Sequence, residues 1–337
     1  MQLSHEFKEL KLRHPFTISR HTNYSQPSFC VSLSYAGFTG FGEATTNPYY
    51  EKTKKNLSDS FESVKSILKG YAFEHPDILW DVLRPYLSDN FFALSAINNA
   101  SWDLYGKLKD MPVKALINAG NNNIPLTSLT IGIDKIDIML SKMKEIPWPV
   151  YKIKVGTDHD MKILEAIRSN TDAIIRIDVN GAWTAKQTLS NSKVLSVLNI
   201  EFVEQPLPAI DNKGMKKVFD HMSMRLIADE SCVTEEDVSR CQGLFDGINI
   251  KLQKCGGLTP ALRMIREARS IGLKVMIGCM TESTIGIAAA AQLLPLVDYA
   301  DLDGPLLIVD DPASGLEFID GHIKMNNQPG LGLTINR

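Results

Sequence analysis

Charged residues recur at the ends of short apolar runs with the spacing of one β-α unit. Asp178 in "RIDVN" follows Lys152 in "VYKIKVG" by 26 residues, Glu204 in "FVEQP" follows Asp178 by 26, Asp229 in "IADES" comes 25 later and Lys251 in "NIKLQ" another 22. Asp303 in "ADLDG" lies 52 residues beyond Lys251, the span of two such units. A unit of this length repeated about eight times predicts a (β/α)8-type barrel. The expected strands are 126–133, 150–154, 174–178, 202–204, 226–229, 247–251, 274–277 and 299–303, with ordinary helices between them. A doubly wound open sheet is the competing architecture, but its Gly-rich first turn, G-x-G-x-x-G, does not occur in the sequence.

The first 115 residues or so have a different texture. Alternating segments at 7–12 and 28–35, then the turn Ala36-Gly37 and a further strand at 38–43, include a hairpin. Three helical stretches follow: 57–68, with Phe61, Val64, Ile67 and Leu68 on one face and Gly70 as a stop, then 76–87 and 91–108. Sheet first and helices after indicate a separate small α+β domain. In the barrel part, Thr259-Pro260 reads as an N-cap and first turn, with Arg263, Arg266 and Arg269 on the solvated side of the helix.

A chain of 337 residues, 44% hydrophobic, can form one large or two medium domains. A net charge of -3 and the lack of a Lys/Arg cluster give no reason to expect nucleic acid or an acidic membrane as partner, which leaves a small molecule. "MQLSHEFKEL" has no apolar h-region, and no segment approaches the roughly 18 apolar residues of a membrane span. Cys30, Cys232, Cys241, Cys255 and Cys279 are odd in number and never arranged C-x-x-C, which points to a reducing cytoplasm and away from zinc or a disulfide framework. A homo-oligomer is admitted but not specified by the sequence.

In such a barrel the rim at the C-terminal strand ends carries the chemistry. The residues expected there are Lys152, Lys154, Asp178, Glu204, Asp229, Lys251, Asp301 and Asp303. Lys152 and Lys154 point the same way from one strand, and two neighbouring ammonium groups are unfavourable in a core unless anions face them. An edge strand with a wet face is the plain alternative. Asp178, Glu204 and Asp229 come from three consecutive strands, and three mutually repelling carboxylates need a cation. Oxygen ligands without His or Cys favour Mg2+ or Mn2+; a salt-bridge cluster with the lysines is the structural alternative. Lys152 and Lys154 precede the carboxylates in barrel order and Lys251 follows them. Two opposed bases around a metal-held carboxylate suit removal of an α-proton and its return on the other face, with lysine pKa values lowered by neighbouring cations and burial. Schiff-base chemistry at a barrel lysine needs neither three carboxylates nor a second lysine.

These residues resemble the enolase superfamily and, within it, the muconate lactonising enzyme subgroup, in which a Lys or His base paired with Mg2+ is an established feature rather than a deduction from spacing. The resemblance rests on "KIK", "DVNGAW" (178–183), "VEQP" (203–206), "ADES" (228–231), "IKLQKCGG" (250–257) and "ASWDLYGKLKDMPVKAL" (100–116). It implies a modified TIM barrel, (β/α)7β, at 116–309 under an N-terminal α+β capping domain at 1–115 that the C-terminal tail, about 310–337, completes. It further implies Asp178, Glu204 and Asp229 as Mg2+ ligands, one ion per subunit, with Lys154 and Lys251 as paired acid/base catalysts and Lys152 on the substrate carboxylate. The mandelate-racemase-like subgroup has a His at the seventh strand end, where this chain reads "IGCMTEST".

"DLD" resembles the D-x-D with which dipeptide epimerases hold the substrate α-ammonium group. Asp301 and Asp303, two carboxylates away from the metal, need such a cation; helix capping is the plain alternative. In L-Ala-D/L-Glu epimerases a cation on the capping-domain loop meets the Glu side chain. Here "HPFTISRHTNY" places His21 where Arg is expected, with Arg20 one position earlier. Thr130, Cys279 and Met280 match pocket-lining positions. The resemblance thus implies an isomerase acting on dipeptides, with L-Ala-D/L-Glu from murein peptide as the expected substrate. An o-succinylbenzoate synthase-type lyase or a cycloisomerase of the same subgroup, or a non-catalytic ligand-binding barrel, are the alternatives.

Overall fold

The computed structural model describes residues 1–19, 21–120 and 124–336. Among these, β1 (Gln2–Thr17), β2 (Thr22–Tyr35) and β3 (Phe38–Thr45) form an antiparallel sheet in that order. Alternation separates its faces: Phe29, Val31 and Leu33 are buried while Cys30, Ser32 and Ser34 are partly exposed. The helices α1 (Lys54–Lys69), α2 (Pro76–Leu83) and α3 (Phe91–Leu108) follow. Leu57, Phe61, Val64 and Leu68 of α1 join the buried face of β2 in one hydrophobic cluster, and Thr53 and Asn56 close a capping box at the start of α1. The second helix stops at Leu83, short of the expected 87, because Pro85 lacks the amide needed to continue it. The third lies directly on β3. A Cβ at Gly42 would sit 2.0 Å from the Ala96 carbonyl oxygen, and one at Gly40 would sit 2.1 Å from that of Ala100, so this approach requires glycine.

The barrel strands are β4 (Leu129–Ile131), β5 (Val150–Lys154), β6 (Ile174–Asp178), β7 (Ile200–Glu204), β8 (Arg225–Ala228), β9 (Gly247–Lys251), β10 (Lys274–Gly278) and β11 (Tyr299–Asp301). Each pairs in parallel with the next in sequence, and a bridge from Thr127 to Ala300 brings the first and last together. Both faces of these strands are covered, which is why they read as nearly continuous apolar runs. The connection from β8 to β9, the shortest spacing in the sequence, holds the 3-10 turns Glu235–Asp237 and Ser239–Cys241 where a helix was expected.

Two readings of helix Leu258–Ser270 are corrected. Its N-cap is Gly257, with φ at 115°, not Thr259. The Thr259 hydroxyl instead donates to Asp77 Oδ1 (2.7 Å) and accepts from Asn98 (3.1 Å) and from Trp102 Nε1 (3.0 Å), pinning α3 to the barrel. Arg263 is half-buried over the Trp80 ring, 4.5 Å from its centroid, and pairs with Glu235; Arg266 and Arg269 are exposed as expected.

Two further connections bear on the site. Glu43 of β3 accepts from Ser283 N (3.0 Å), Ser283 Oγ (2.6 Å) and Gly286 N (3.0 Å) at the start of helix Thr284–Ala291. Thr45 N donates to Gln253 Oε1 (2.9 Å), two residues past Lys251. The tail strands β12 (Ala313–Ser314) and β15 (Thr334–Ile335) pair, as do β13 (Leu316–Ile319) and β14 (His322–Met325). Ala313, Ile323, Leu331 and Leu333 of the tail share the barrel's hydrophobic cluster, while Leu331 N donates to Asp103 of α3 (2.8 Å). Among the described residues no helix is long and apolar enough to cross a membrane.

Candidate active site

Strand register assembles the rim. Lys154 stands opposite Asp178 across the β5–β6 ladder, and Asp178 opposite Glu204 across β6–β7. On the other side of the ring Gly278 stands opposite both Lys251 and Asp301. The residues of sequence interest therefore meet at one level although they are far apart in the chain. Lys152, Lys154, Asp229, Lys251, Asp301, Asp303, Thr130, Cys279, Met280 and His21 all border one cleft. Arg20 lies outside the described residues.

Asp178, Glu204 and Asp229 are buried and each offers an oxygen within 4.8 Å of the others. Lys152 Nζ lies 2.7 Å from Glu204 Oε2, 3.0 Å from Asp178 Oδ2 and 2.7 Å from Asp301 Oδ2. Lys154 donates to Asp178 Oδ2 (2.6 Å) and Asn180 Oδ1 (3.3 Å), and Lys251 donates to Asp229 Oδ2 (2.7 Å). The two lysines attach to different carboxylates on strands β5 and β9, which three strands separate. The wet-edge reading of "KIK" does not hold: both side chains are buried against anions.

The electrostatics are uneven. Burial raises all three carboxyl pKa values, but Lys152 and Lys154 outweigh it at Asp178, and Lys251 and Lys254 outweigh it at Asp229, so both stay below the usual carboxylate range. At Glu204, burial and repulsion from Asp178 prevail over Lys152 and push the carboxyl up to about 7. Glu204 Oε2 makes no hydrogen bond of good geometry despite its close ammonium. Three buried hard-oxygen donors, one with an unsatisfied oxygen, fit a small divalent cation.

Two expectations are corrected here. Burial, the largest influence on Lys251, pulls its pKa down, but Asp229 with Glu204 and Asp178 outweighs it, and the group lies above an ordinary lysine. Lys152 is raised likewise, with Asp178 and Asp301 overcoming burial. Direct ion pairs thus prevail over the neighbouring cations counted from sequence. Asp301 is also not apart from the carboxylate cluster, since it shares Lys152 with it and accepts from Ser128 Oγ (2.6 Å). Asp303 Oδ2 accepts from Thr130 N (2.5 Å), and burial with repulsion from Asp301 pushes its carboxyl up to about 7. Asp303 occupies the N-cap position of the turn Gly304–Leu307 but makes no side-chain cap bond, so capping does not account for it. The Cys279 thiol is pushed far up by burial and by Asp303, which keeps it protonated.

Residues 5–118 match the family described as "Mandelate racemase / muconate lactonizing enzyme, N-terminal domain", and residues 140–337 match "Enolase C-terminal domain-like". The chain belongs to the enolase superfamily. Superfamily relatives with similar sequences include the L-Ala-D/L-amino acid epimerase of Flavobacterium johnsoniae, 48% identical over 97% of each chain. The substrate complex of the L-Ala-D/L-Glu epimerase from Bacillus subtilis superposes with a TM-score of 0.94 at 26% identity, covering 99% of this chain and 98% of that one. A dipeptide epimerase from Cytophaga hutchinsonii, solved with Mg and D-Ala-L-Val, gives a TM-score of 0.94 at 26% identity over 100% and 97% of the two chains.

Sequence reasoning missed several residues of this enolase-superfamily site. Asn249 donates to Glu204 Oε1 (2.8 Å), and Lys254 donates to Asp229 Oδ1 (2.7 Å). Both sit inside quoted motifs, Asn249 two residues before Lys251 on β9 and Lys254 three residues after it on the turn Leu252–Cys255, so their positions were the available signal. Phe16 of the capping sheet, Ile18 just after β1, and Asn47, Tyr49 and Tyr50 of the loop after β3 border the cleft only through tertiary packing.

Proposed function

We propose that this enolase-superfamily member is a Mg2+-dependent dipeptide epimerase that inverts the α-carbon of the C-terminal residue by 1,1-proton transfer. The observation that carries the reading is the pair Lys154 and Lys251, held on separated strands at either end of a buried three-carboxylate cluster, with Asp301 and Asp303 in the same cleft. Asp178, Glu204 and Asp229 would hold the ion. A divalent ion held there would supply positive charge that offsets the three carboxylates and stabilises the enolate charge of the substrate carboxylate.

The chain's own groups do the rest. Lys152, deep in the cleft, holds the substrate carboxylate. One of Lys154 and Lys251, as the free amine, takes the α-proton onto Nζ. The other, as the ammonium, delivers a proton from the opposite face, and the carbon is inverted. Asp301 and Asp303 hold the substrate α-ammonium group, and Thr130 N orients Asp303. Thr130, Cys279 and Met280 border the substrate, with His21 on the capping-loop side. L-Ala-D/L-Glu from murein peptide is the substrate we favour, and the names of the relatives support a breadth that includes other L-Ala-X dipeptides. The free thiols of all five cysteines support a reducing, cytoplasmic location. The working division is a capping domain at 1–115 with the tail from about 310, over a barrel at 116–309; contacts of the tail with α3 support it.

The α-ammonium contact gives a test. N-acetyl-L-Ala-L-Glu lacks the cation that Asp301 and Asp303 would hold, and losing one partner of a buried hydrogen-bonded charge pair costs about 2–5 kcal/mol, roughly 30- to 5000-fold in kcat/KM. Equal turnover of the acetylated and free dipeptides, followed by polarimetry, would remove Asp301 and Asp303 from that role.

A further inference from the structure

Lys254 is a buried cation that the proposed proton transfer does not use. It lies three residues past Lys251 on the helical turn Leu252–Cys255 and is 1% exposed. Its Nζ donates to Asp229 O (2.6 Å), Asp229 Oδ1 (2.7 Å), the Cys232 carbonyl (2.8 Å) and the Asn249 carbonyl (3.0 Å). An ammonium has three protons, and these four acceptors, three of them main-chain carbonyls that substrate binding does not displace, leave it nothing for a substrate. Asp229 and Lys251 are among the described residues that border the cleft, whereas Lys254 is not.

Asp229 needs a holder. It comes after the last residue of β8, where its N–H donates to Gln205 Oε1 (3.0 Å), a bond that holds the backbone but not the carboxylate. Its two oxygens are held by different ammonium groups, Oδ1 by Lys254 and Oδ2 by Lys251. A lysine that carries protons gives up its hold on Oδ2 in each cycle. Lys254, saturated and sealed from the cleft, does not. It also ties the backbone on both sides of the Asp229 turn to β9 through the carbonyls of Asp229, Cys232 and Asn249.

We propose that Lys254 is a positioning residue of the cation site, fixing Asp229 through Oδ1 and the main chain so that Oδ2 is presented to the carboxylate cluster, and thereby setting the affinity for a divalent ion. This rests on the reading of Asp229 as a metal ligand. A lysine that only stabilised the fold would lower the unfolding temperature and leave that affinity alone.

The test is Mn2+ binding by titration calorimetry on the wild-type protein, Asp229→Asn, Lys254→Met and Lys254→Arg, below each protein's unfolding midpoint. Lys254→Met is expected to raise the Mn2+ dissociation constant about 10- to 100-fold, as loss of a group that orients a metal ligand does. The Mg2+ concentration for half-maximal turnover should rise by the same factor, with kcat recovering at high Mg2+. An unchanged Mn2+ dissociation constant overturns the proposal. If Lys254→Met does not fold, Lys254→Arg decides on the same criterion, because a planar fork cannot reproduce these four contacts. A wild-type protein that binds no Mn2+, or an Asp229→Asn variant that binds it equally well, overturns the ligand reading and this proposal with it.

Discussion

Lys154→Ala is expected to stop epimerisation while leaving the fold intact. Removing a positioned general base or acid costs roughly two to four orders of magnitude in rate. Inversion needs both faces of the α-carbon served, so the remaining Lys251 cannot substitute for the missing partner. It can still take and return the proton of one epimer, so in D2O that epimer should exchange its α-proton without inverting, while the other stays inert. Misfolding is not expected to obscure the result, because Asp178 keeps Lys152 at 3.0 Å when Lys154 is lost. Normal turnover by Lys154→Ala, measured by polarimetry with a circular dichroism spectrum matching wild type, would remove Lys154 from the mechanism.

The second large effect concerns Glu204. Chelation by EDTA is expected to abolish turnover and Mg2+ to restore it. Glu204→Gln should be inactive at any practical Mg2+ concentration, a loss of several kcal/mol in charge stabilisation, on the order of 10³-fold or more. Mg2+ should raise the melting temperature of wild type, because an ion that binds only the folded state stabilises it, and should not raise that of the variant. A Mg2+-dependent melting shift in Glu204→Gln equal to that of wild type would contradict the ligand set.

Much of this site was legible because a parallel barrel converts sequence periodicity into spatial convergence. Lys154, Asp178 and Glu204 end successive strands, and the ladder sets them side by side, so counting strand ends locates them. Lys251 follows from the same count. What the count cannot supply is which partner each charge takes. Asp301 was read as apart from the metal cluster, yet a lysine is long enough to reach Asp178, Glu204 and Asp301 from one Nζ. The same omission put the Lys251 shift in the wrong direction, since ion pairs at contact distance outweigh more distant like charges.

The missing helix between β8 and β9 had a signal in the short spacing, but irregular segments carry no period to recognise. Thr259 has the sequence context of an N-cap and a different use, because a hydroxyl facing α3 finds Asn98 and Trp102 there. The capping-domain wall of the cleft was the least legible part. Tyr49 and Tyr50 follow Pro48 in what reads as a turn, and only the packing of one domain on the other brings them to the cleft.

As a dipeptide epimerase, the protein would move the α-proton of the C-terminal residue between Lys154 and Lys251. The most direct measurement is to incubate the protein with Mg2+ and a panel of L-Ala-X dipeptides in D2O and follow the C-terminal α-proton by NMR. Loss of that resonance together with formation of the other diastereomer is expected, with L-Ala-D/L-Glu among the substrates. No exchange on any dipeptide, accompanied by dehydration of the cyclohexadiene substrate of o-succinylbenzoate synthases, would contradict the epimerase reading in favour of a lyase; silence in both assays would contradict it in favour of a binding protein.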